Sequence, residues 1–209
     1  MWDPLDDLSP AARATLDAYY AELVRLNRRV NLVSPRSLED GVATHLRHSL
    51  ALARRPFPPG ATVVDWGSGG GLPAVPLAIR FPETEFVAVD AVGKKMEAVR
   101  TVARRLGLAN LRVWNGRAEA FPEPVHLAVS RATAPLADLW AWTERVLTPW
   151  DGPWPDEAWA PGLLTLKGGD LADEIRALPD GLAVHTHDLT DWMGDDWATK
   201  KLVTVLRDS

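Results

Sequence analysis

At 209 residues the chain has the length of one sizeable α/β domain, with 46% hydrophobic and 24% charged residues as in ordinary soluble globular proteins. No apolar run approaches the ~18 residues that span a bilayer, Met1-Trp2-Asp3-Pro4 does not open a signal peptide, and cysteine is absent. These facts exclude a membrane span, disulfides, thiolate metal sites and a cysteine nucleophile, and leave the cytoplasm as the expected location. The formal net charge of −5 is unevenly placed. Arg25 to Arg55 carries seven arginines against Glu39 and Asp40, and Lys94 to Arg117 carries seven bases against Glu97, whereas the stretch after Asp138 is strongly acidic. Basic segments of this kind can form a phosphate-binding face on an acidic protein, or simply solvated helix faces.

Ser9-Pro10 reads as an N-cap with proline at the first helical position. Leu16, Tyr19, Tyr20, Leu23 and Leu26 continue at helical spacing, ending near Asn27 to Asn31. A second helix is predicted from Leu38 to Ala53, closed by Pro56 and Pro58-Pro59-Gly60. From Ala61 the pattern becomes β-branched runs alternating with helices. Strands are predicted at Thr62 to Trp66, Glu85 to Asp90, Leu111 to Trp114, Val125 to Ser130, Leu163 to Lys167, Ala183 to Leu189 and Leu202 to Arg207. Helices are predicted at Leu72 to Arg80, Lys94 to Leu106, Pro135 to Leu147 and Ala172 to Ala177. Such alternation indicates an α/β fold with a mostly parallel, doubly wound sheet. Pro149 to Pro161, with Trp150, Trp154 and Trp159, reads as a long surface loop whose tryptophans form either a cluster or a contact surface.

Ligands of doubly wound sheets bind where the first strand turns into the first helix. Here that turn is Asp65-Trp66-Gly67-Ser68-Gly69-Gly70-Gly71-Leu72-Pro73. Gly67, Gly69 and Gly71 make G-x-G-x-G and not the dinucleotide G-x-G-x-x-G, and no G-x-x-x-x-G-K-[S/T] phosphate loop is present, because Ala88 stands where the first glycine would precede Gly93-Lys94-Lys95. Asp90 ends the second strand twenty-three residues after Gly67, placed to accept ribose hydroxyls. A glycine loop without a phosphate grip and a ribose acid suit an adenosine lacking phosphates, of which S-adenosylmethionine is the common example. Ser68 lacks the G-x-S-x-G elbow of a hydrolase, since Trp66 precedes Gly67.

The chain also resembles a known family, the small-subunit ribosomal RNA guanine-N7 methyltransferases, or glucose-inhibited division B proteins. The resemblance runs from about Leu26 to about Gly168. Asn27-Arg28-Arg29-Val30-Asn31-Leu32 is similar to the family's W-N-x-x-x-N-L, and His45-Leu46-Arg47-His48-Ser49-Leu50 to its H-x-x-D-S-L. Asp65 to Ile79 is similar to D-x-G-S-G-x-G-[FL]-P-G-x-P-L-A-I. Gly93-Lys94-Lys95, Leu108-Ala109-Asn110, Arg117-Ala118-Glu119, Ser130-Arg131-Ala132 and Leu166-Lys167-Gly168 follow in order. Leu26, His48, Ala74 and Ala98-Val99 depart from the family's tryptophan, aspartate, glycine and phenylalanine-leucine.

The resemblance implies a Rossmann-like methyltransferase fold with a mostly parallel seven-stranded sheet. It would form a single domain, with residues 1–59 as a helical cap on a donor-binding core at 60–209. It further implies 7-methylguanosine formation in small-subunit (16S) ribosomal RNA, with S-adenosylmethionine as cofactor. Gly67, Ser68, Gly69, Gly71, Leu72 and Asp90 would surround the donor, Ala118 and Glu119 its adenine end, and Arg131 the methyl-transfer region. Arg131 could instead hold an RNA phosphate, stack on a base, or pair with a buried acid such as Asp65. Arg28, Arg29, Arg36, Lys94, Lys95 and Arg117 are the candidates for RNA phosphate contacts, while Arg100, Arg104 and Arg105 fit a solvated helix face. Asn27 and Asn31 could read the target, with a helix C-cap the other role for Asn31.

His45 and His48 have helical spacing but no third metal ligand, so no metal is expected, and His185 and His187 on one strand face are expected to be solvated. Guanine N7 carries a lone pair and no proton, so no general base is assigned; the remaining task is orientation of a base unstacked into the pocket. Two alternatives remain open at this level. A small-molecule methyltransferase would share the donor loop without needing the basic segments, and a non-catalytic ribosome-assembly module would keep those segments and tolerate loss of Gly67, Gly69 or Asp90.

Overall fold

The structure, a computed structural model, describes residues 1–33, 42–131, 133–152 and 154–208. The first helix, α1 (Pro10–Asn27), starts where Ser9 accepts the Ala12 N–H on its hydroxyl at 3.2 Å. After it the chain turns back: the Asn27 side-chain oxygen accepts the N–H groups of Leu32 (2.7 Å) and Val33 (3.0 Å). Asn27 thus shapes a turn, and the C-cap is Arg28, not Asn31. Helix α2 (Val42–Leu50) passes into a 3-10 turn at Ala51–Arg54; the expected start at Leu38 and the candidate Arg36 lie outside the described residues.

The core is a seven-stranded sheet: β1 (Thr62–Trp66), β2 (Glu85–Asp90), β3 (Leu111–Asn115), β4 (Leu127–Arg131), β5 (Gly162–Gly168), β6 (Leu182–Asp188) and β7 (Lys200–Arg207). The spatial order is β3-β2-β1-β4-β5-β7-β6, and β7 runs antiparallel to both its neighbours. Between the strands lie α3 (Ala74–Arg80), α4 (Gly93–Leu106), α5 (Leu136–Val146), α6 (Ala172–Arg176) and the short α7 (Thr190–Met193). The strand order reverses between β1 and β4, so a crevice opens at the carboxyl ends of the strands there.

Alternation along the strands sends side chains to two cores. Val63, Phe86, Ala88, Leu127, Val129, Leu164 and Leu202 pack with α3, α4 and the N-terminal helix residues Leu16, Tyr19 and Leu23. Val64, Trp66, Val87, Ala128, Leu163 and Val203 pack with Leu136, Leu139 and Trp140 of α5. The α1 residues therefore belong to the same hydrophobic cluster as one sheet face. Burial of both faces explains why β1, β2 and β4 read as continuous apolar runs.

Several boundaries differ from the sequence reading for identifiable reasons. α3 begins at Ala74 because Gly71, Leu72 and Pro73 remain in the turn, and the first free N–H of the helix is accepted by Asp65 from the end of β1 (3.1 Å). β4 begins at Leu127 because Val125 instead bridges Leu147. Arg131 is the last residue of β4, in register with Leu166, and does not lie beyond the strand. The 149–161 segment packs inward: Trp159 is buried and donates its indole N–H to the Leu52 carbonyl (2.6 Å), and Trp154 donates to the Trp159 carbonyl (2.8 Å).

Asn110 is buried before β3 and its amide donates to the carbonyls of Ala78 (3.1 Å), Phe81 (3.0 Å) and Thr84 (3.0 Å), tying the end of α3 to the entry of β2. Removing the amide takes this donor from the Ala78 and Thr84 carbonyls, while the Phe81 carbonyl keeps the Thr84 N–H (3.1 Å). Asn110→Ala is expected to lose about 1–3 kcal/mol of stability, read as a lower urea midpoint with an unchanged m-value.

Candidate active site

The glycine turn is built around Asp65. Its carboxylate is fully buried, and one oxygen accepts both the Ser68 hydroxyl (2.5 Å) and the Ala74 N–H (3.1 Å). The other oxygen, Oδ1, has no hydrogen-bond donor among the described residues. Burial, only partly offset by these hydrogen bonds and by the nearby Arg131 charge, pushes this carboxyl up to about 7. Ser68 is thereby held within the turn, its hydroxyl directed to Asp65.

Gly67, at φ 68°, lies where a side chain would collide with Thr133, so only bare backbone fits there. Gly70 approaches the N-terminal segment: a Cβ there would lie 2.9 Å from Leu23 and 3.1 Å from Leu32. The Tyr19 hydroxyl donates to the Gly70 carbonyl at 2.9 Å, and burial pushes that phenol well above its ordinary range, keeping it a neutral donor.

A cleft of about 220 Å³ opens beside this turn at the carboxyl ends of β1, β2 and β3. It is lined by Gly67, Asp90, Gly116, Arg117, Ala118 and Glu119, with Thr133 and Trp142 closing one side. Asp90 accepts the Gly69 N–H (3.0 Å) on one oxygen and the Val92 N–H (2.8 Å) on the other. A carboxylate has about four lone-pair sites, so each oxygen keeps acceptor capacity toward the cleft. Among the sequence candidates, Gly67, Asp90, Arg117, Ala118 and Glu119 meet here. Gly69 contributes its N–H to Asp90, while Gly71 and the buried Leu72 pack toward Val75 and the core.

Arg131 faces the α2 side. Its Nη1 donates to His45 Nδ1 at 2.8 Å; arginine has no lone pair, so Nδ1 is the acceptor and His45 is neutral with its proton on Nε2. Arg131 does not form an ion pair with Asp65, although its charge is felt by Asp65, Tyr19 and His48. Burial together with the Arg131 charge lowers His48 to about 3, so this ring too is neutral, tilted against Trp197 at 5.5 Å between centroids. Among the described residues no group of three His, Cys, Asp or Glu side chains could hold a metal ion.

The basic candidates are spread over the surface. Arg28 and Arg29 are exposed after α1, Lys94 is exposed and Lys95 half-buried in the first turn of α4, and Arg117 is exposed at the cleft. Arg100 and Arg105 pair with Glu97 and Glu22 (2.5 and 2.9 Å), as expected of an outward helix face. Sequence reasoning did not assign Thr133, Gly116, Trp142, Tyr19 or the pairing of His45 with Arg131. The adjacency of Gly116 to Arg117 and of Thr133 to Arg131 was the available signal for two of them.

The model of the rRNA small subunit methyltransferase G family, GidB, matches residues 12–191. The chain belongs to that family. It is 52% identical to the Ribosomal RNA small subunit methyltransferase G of Salinibacter ruber, covering 98% of this chain and 97% of that one. The protein of the same name from Cytophaga hutchinsonii is 34% identical over 95% of this chain and 94% of its own. Among solved structures, TrmN from Thermus thermophilus superposes with a TM-score of 0.57 at 22% identity, covering 78% of this chain and 49% of that one. The ribosomal protein L11 methylase of Lactobacillus delbrueckii gives 0.57 at 16% identity, covering 80% of each chain. These structural likenesses establish the Rossmann-like methyltransferase fold, and the family makes this chain a methyltransferase.

The raised carboxyl of Asp65 has a consequence for stability. Between pH 3.8 and about 7 the folded chain keeps a proton that the unfolded chain gives up, so stability contributed by this group falls as pH rises through that window and levels off above it. Asp65→Asn is expected to gain on the parent protein progressively from pH 4 to 7, as measured by urea unfolding at stepped pH.

Proposed function

We propose that this chain transfers the methyl group of S-adenosylmethionine to N7 of a guanosine in small-subunit (16S) ribosomal RNA, acting in the cytoplasm on RNA or a ribosomal particle. Full-length similarity to proteins named Ribosomal RNA small subunit methyltransferase G supports the substrate class. The observation that carries the cofactor assignment is the cleft itself. Asp90 and Glu119 stand in its lining against the single base Arg117, a balance that repels a phosphate and suits an adenosine ending in a cationic sulfonium.

In this reading Asp90 binds the ribose hydroxyls with its remaining lone pairs, Ala118 and Glu119 flank the adenine, and the bare backbone at Gly67 lets the donor lie close to β1. S-adenosylmethionine supplies an electrophilic methyl on sulfur. Guanine N7 holds a lone pair and no proton, so the chain's residues need remove none. Their contribution is orientation and charge, worth several kcal/mol when the reacting atoms are held at about 3–3.5 Å. Arg131, held by neutral His45, remains a fixed cation for the RNA side of the pocket. Arg28, Arg29, Lys94, Lys95 and Arg117 serve as phosphate contacts that position RNA without reading it.

Labelled methyl transfer to small-subunit RNA from a strain lacking this gene, followed by nucleoside analysis, is expected to place the label in 7-methylguanosine. Gly67→Arg is expected to abolish labelling. Asp90→Ala is expected to weaken donor binding about tenfold or more through loss of charge-assisted hydrogen bonds, leaving the KM for RNA little changed. A donor that binds while no RNA form is labelled overturns the ribosomal substrate in favour of a small-molecule acceptor.

A further inference from the structure

Past β5 the sheet face that carries Asp65 continues over β7 and β6 and ends in a second hollow, of about 590 Å³. Leu164, Thr204 and Leu206 form its floor. Its walls are Trp159 from the 149–161 segment, Trp192 from α7, His185 and His187 from β6, Arg54 at the end of the 3-10 turn after α2, and Arg55 just past it. His185 is exposed, as expected of a solvated edge residue, but the same expectation is corrected for His187. His187 is half-buried, 6.4 Å from the Trp159 ring and 5.3 Å from the Trp192 ring, because the 149–161 segment and α7 fold over the edge strand.

The charge in this hollow is of one sign. No carboxylate lines it, and among the described residues neither Arg54 nor Arg55 is ion-paired. Instead the Arg54 guanidinium lies over the Trp2 and Trp192 rings at 5.5 and 5.8 Å, and that of Arg55 lies over Trp159 at 5.5 Å. A guanidinium held over an indole is fixed in place without being neutralised and keeps its N–H donors. Burial, and to a lesser degree the charges of His185 and Arg55, lower His187 below the ordinary imidazole range.

We propose that this hollow is a nucleotide-binding site, separate from the donor cleft, that takes a base together with its 5′-phosphate. The base lies among the rings of Trp192, His187 and Trp159, and the phosphate accepts from Arg54 and Arg55. Planar rings interleaved with arginines match base stacking plus phosphate contact, and the volume falls within the range of small-molecule sites, roughly 300–1,000 Å³. An acidic peptide would use the cations and leave the rings idle. The nucleotide comes either from solution or from an unpaired stretch of the RNA substrate, and the second source rests on the proposed function.

The test uses the intact protein and two arms. Calorimetric titration with guanosine 5′-monophosphate is expected to show binding that Arg54→Ala/Arg55→Ala and Trp192→Ala each weaken about tenfold. Asp90→Ala should leave it unchanged, and guanosine without phosphate should bind more weakly. In the second arm, a KM for small-subunit RNA raised about tenfold in both variants, at unchanged kcat and donor affinity, assigns the occupant to the RNA strand. Nucleotide binding with unchanged KM assigns it to a free nucleotide. Four results overturn the site: nucleotide binding indifferent to the variants, neither binding nor a KM change, a KM change in the arginine variant alone, or equal competition by oligoglutamate. If the parent protein labels no RNA in any form, the proposed function fails, while the nucleotide arm still decides the hollow.

Discussion

The buried Asp65 carboxylate is the constraint on which the glycine turn and the cleft beside it depend. One oxygen accepts from Ser68 and from the first N–H of α3, so the end of β1, the glycine turn and the following helix are tied at a single atom. A carboxyl placed there without donors would carry the full cost of leaving water. With them it sets the path of the backbone from Gly67 to Pro73, and that path puts the Gly69 N–H onto Asp90, joining the ends of β1 and β2 across the cleft. The raised carboxyl shows that the offset is incomplete, a strain of the kind found at functional sites.

The N-terminal helices are held by the same turn. Tyr19 bonds to the Gly70 carbonyl, and Leu23 and Leu32 lie against the space that a side chain at Gly70 would fill. Glycine turn and helical segment therefore share one close-packed contact, and α2 brings His45 to Arg131. The two residues of the His45/His48 pair have diverged in role: one orients an arginine, and the other is a neutral ring packed on Trp197 where the family resemblance expects an aspartate. Lys167 performs a similar supporting task from β5, donating to the Ala134 carbonyl (2.5 Å) and to Glu174 (2.6 Å), which in turn accepts the first N–H of α5.

The antiparallel end of the sheet has a different character. β6 is an edge strand, and the chain covers one of its faces with tryptophans from two separate segments and arginines from a third. That cover takes part of the sheet face near the edge out of water. The rings alone would serve that purpose; the unpaired guanidiniums stacked on them are what make the hollow suited to a ligand.

Much of this protein was legible in the sequence because the signals are local. Short β-branched, apolar runs marked the strands and 3.6-residue periodicity most helices, and Ser9-Pro10 marked the start of α1. The glycine spacing at Gly67, Gly69 and Gly71, with Asp90 at the next strand end, located the cleft that the fold assembles, since a strand, a tight turn and a helix are specified within about fifteen residues. Contacts between residues distant in sequence were decided only by the tertiary structure. Tyr19 on the Gly70 carbonyl, His45 on Arg131, and the meeting of Arg54, Trp159, His187 and Trp192 leave no periodic trace. Each joins segments whose approach is set by the packing of whole helices on the sheet, and the bond that results is a consequence of that packing.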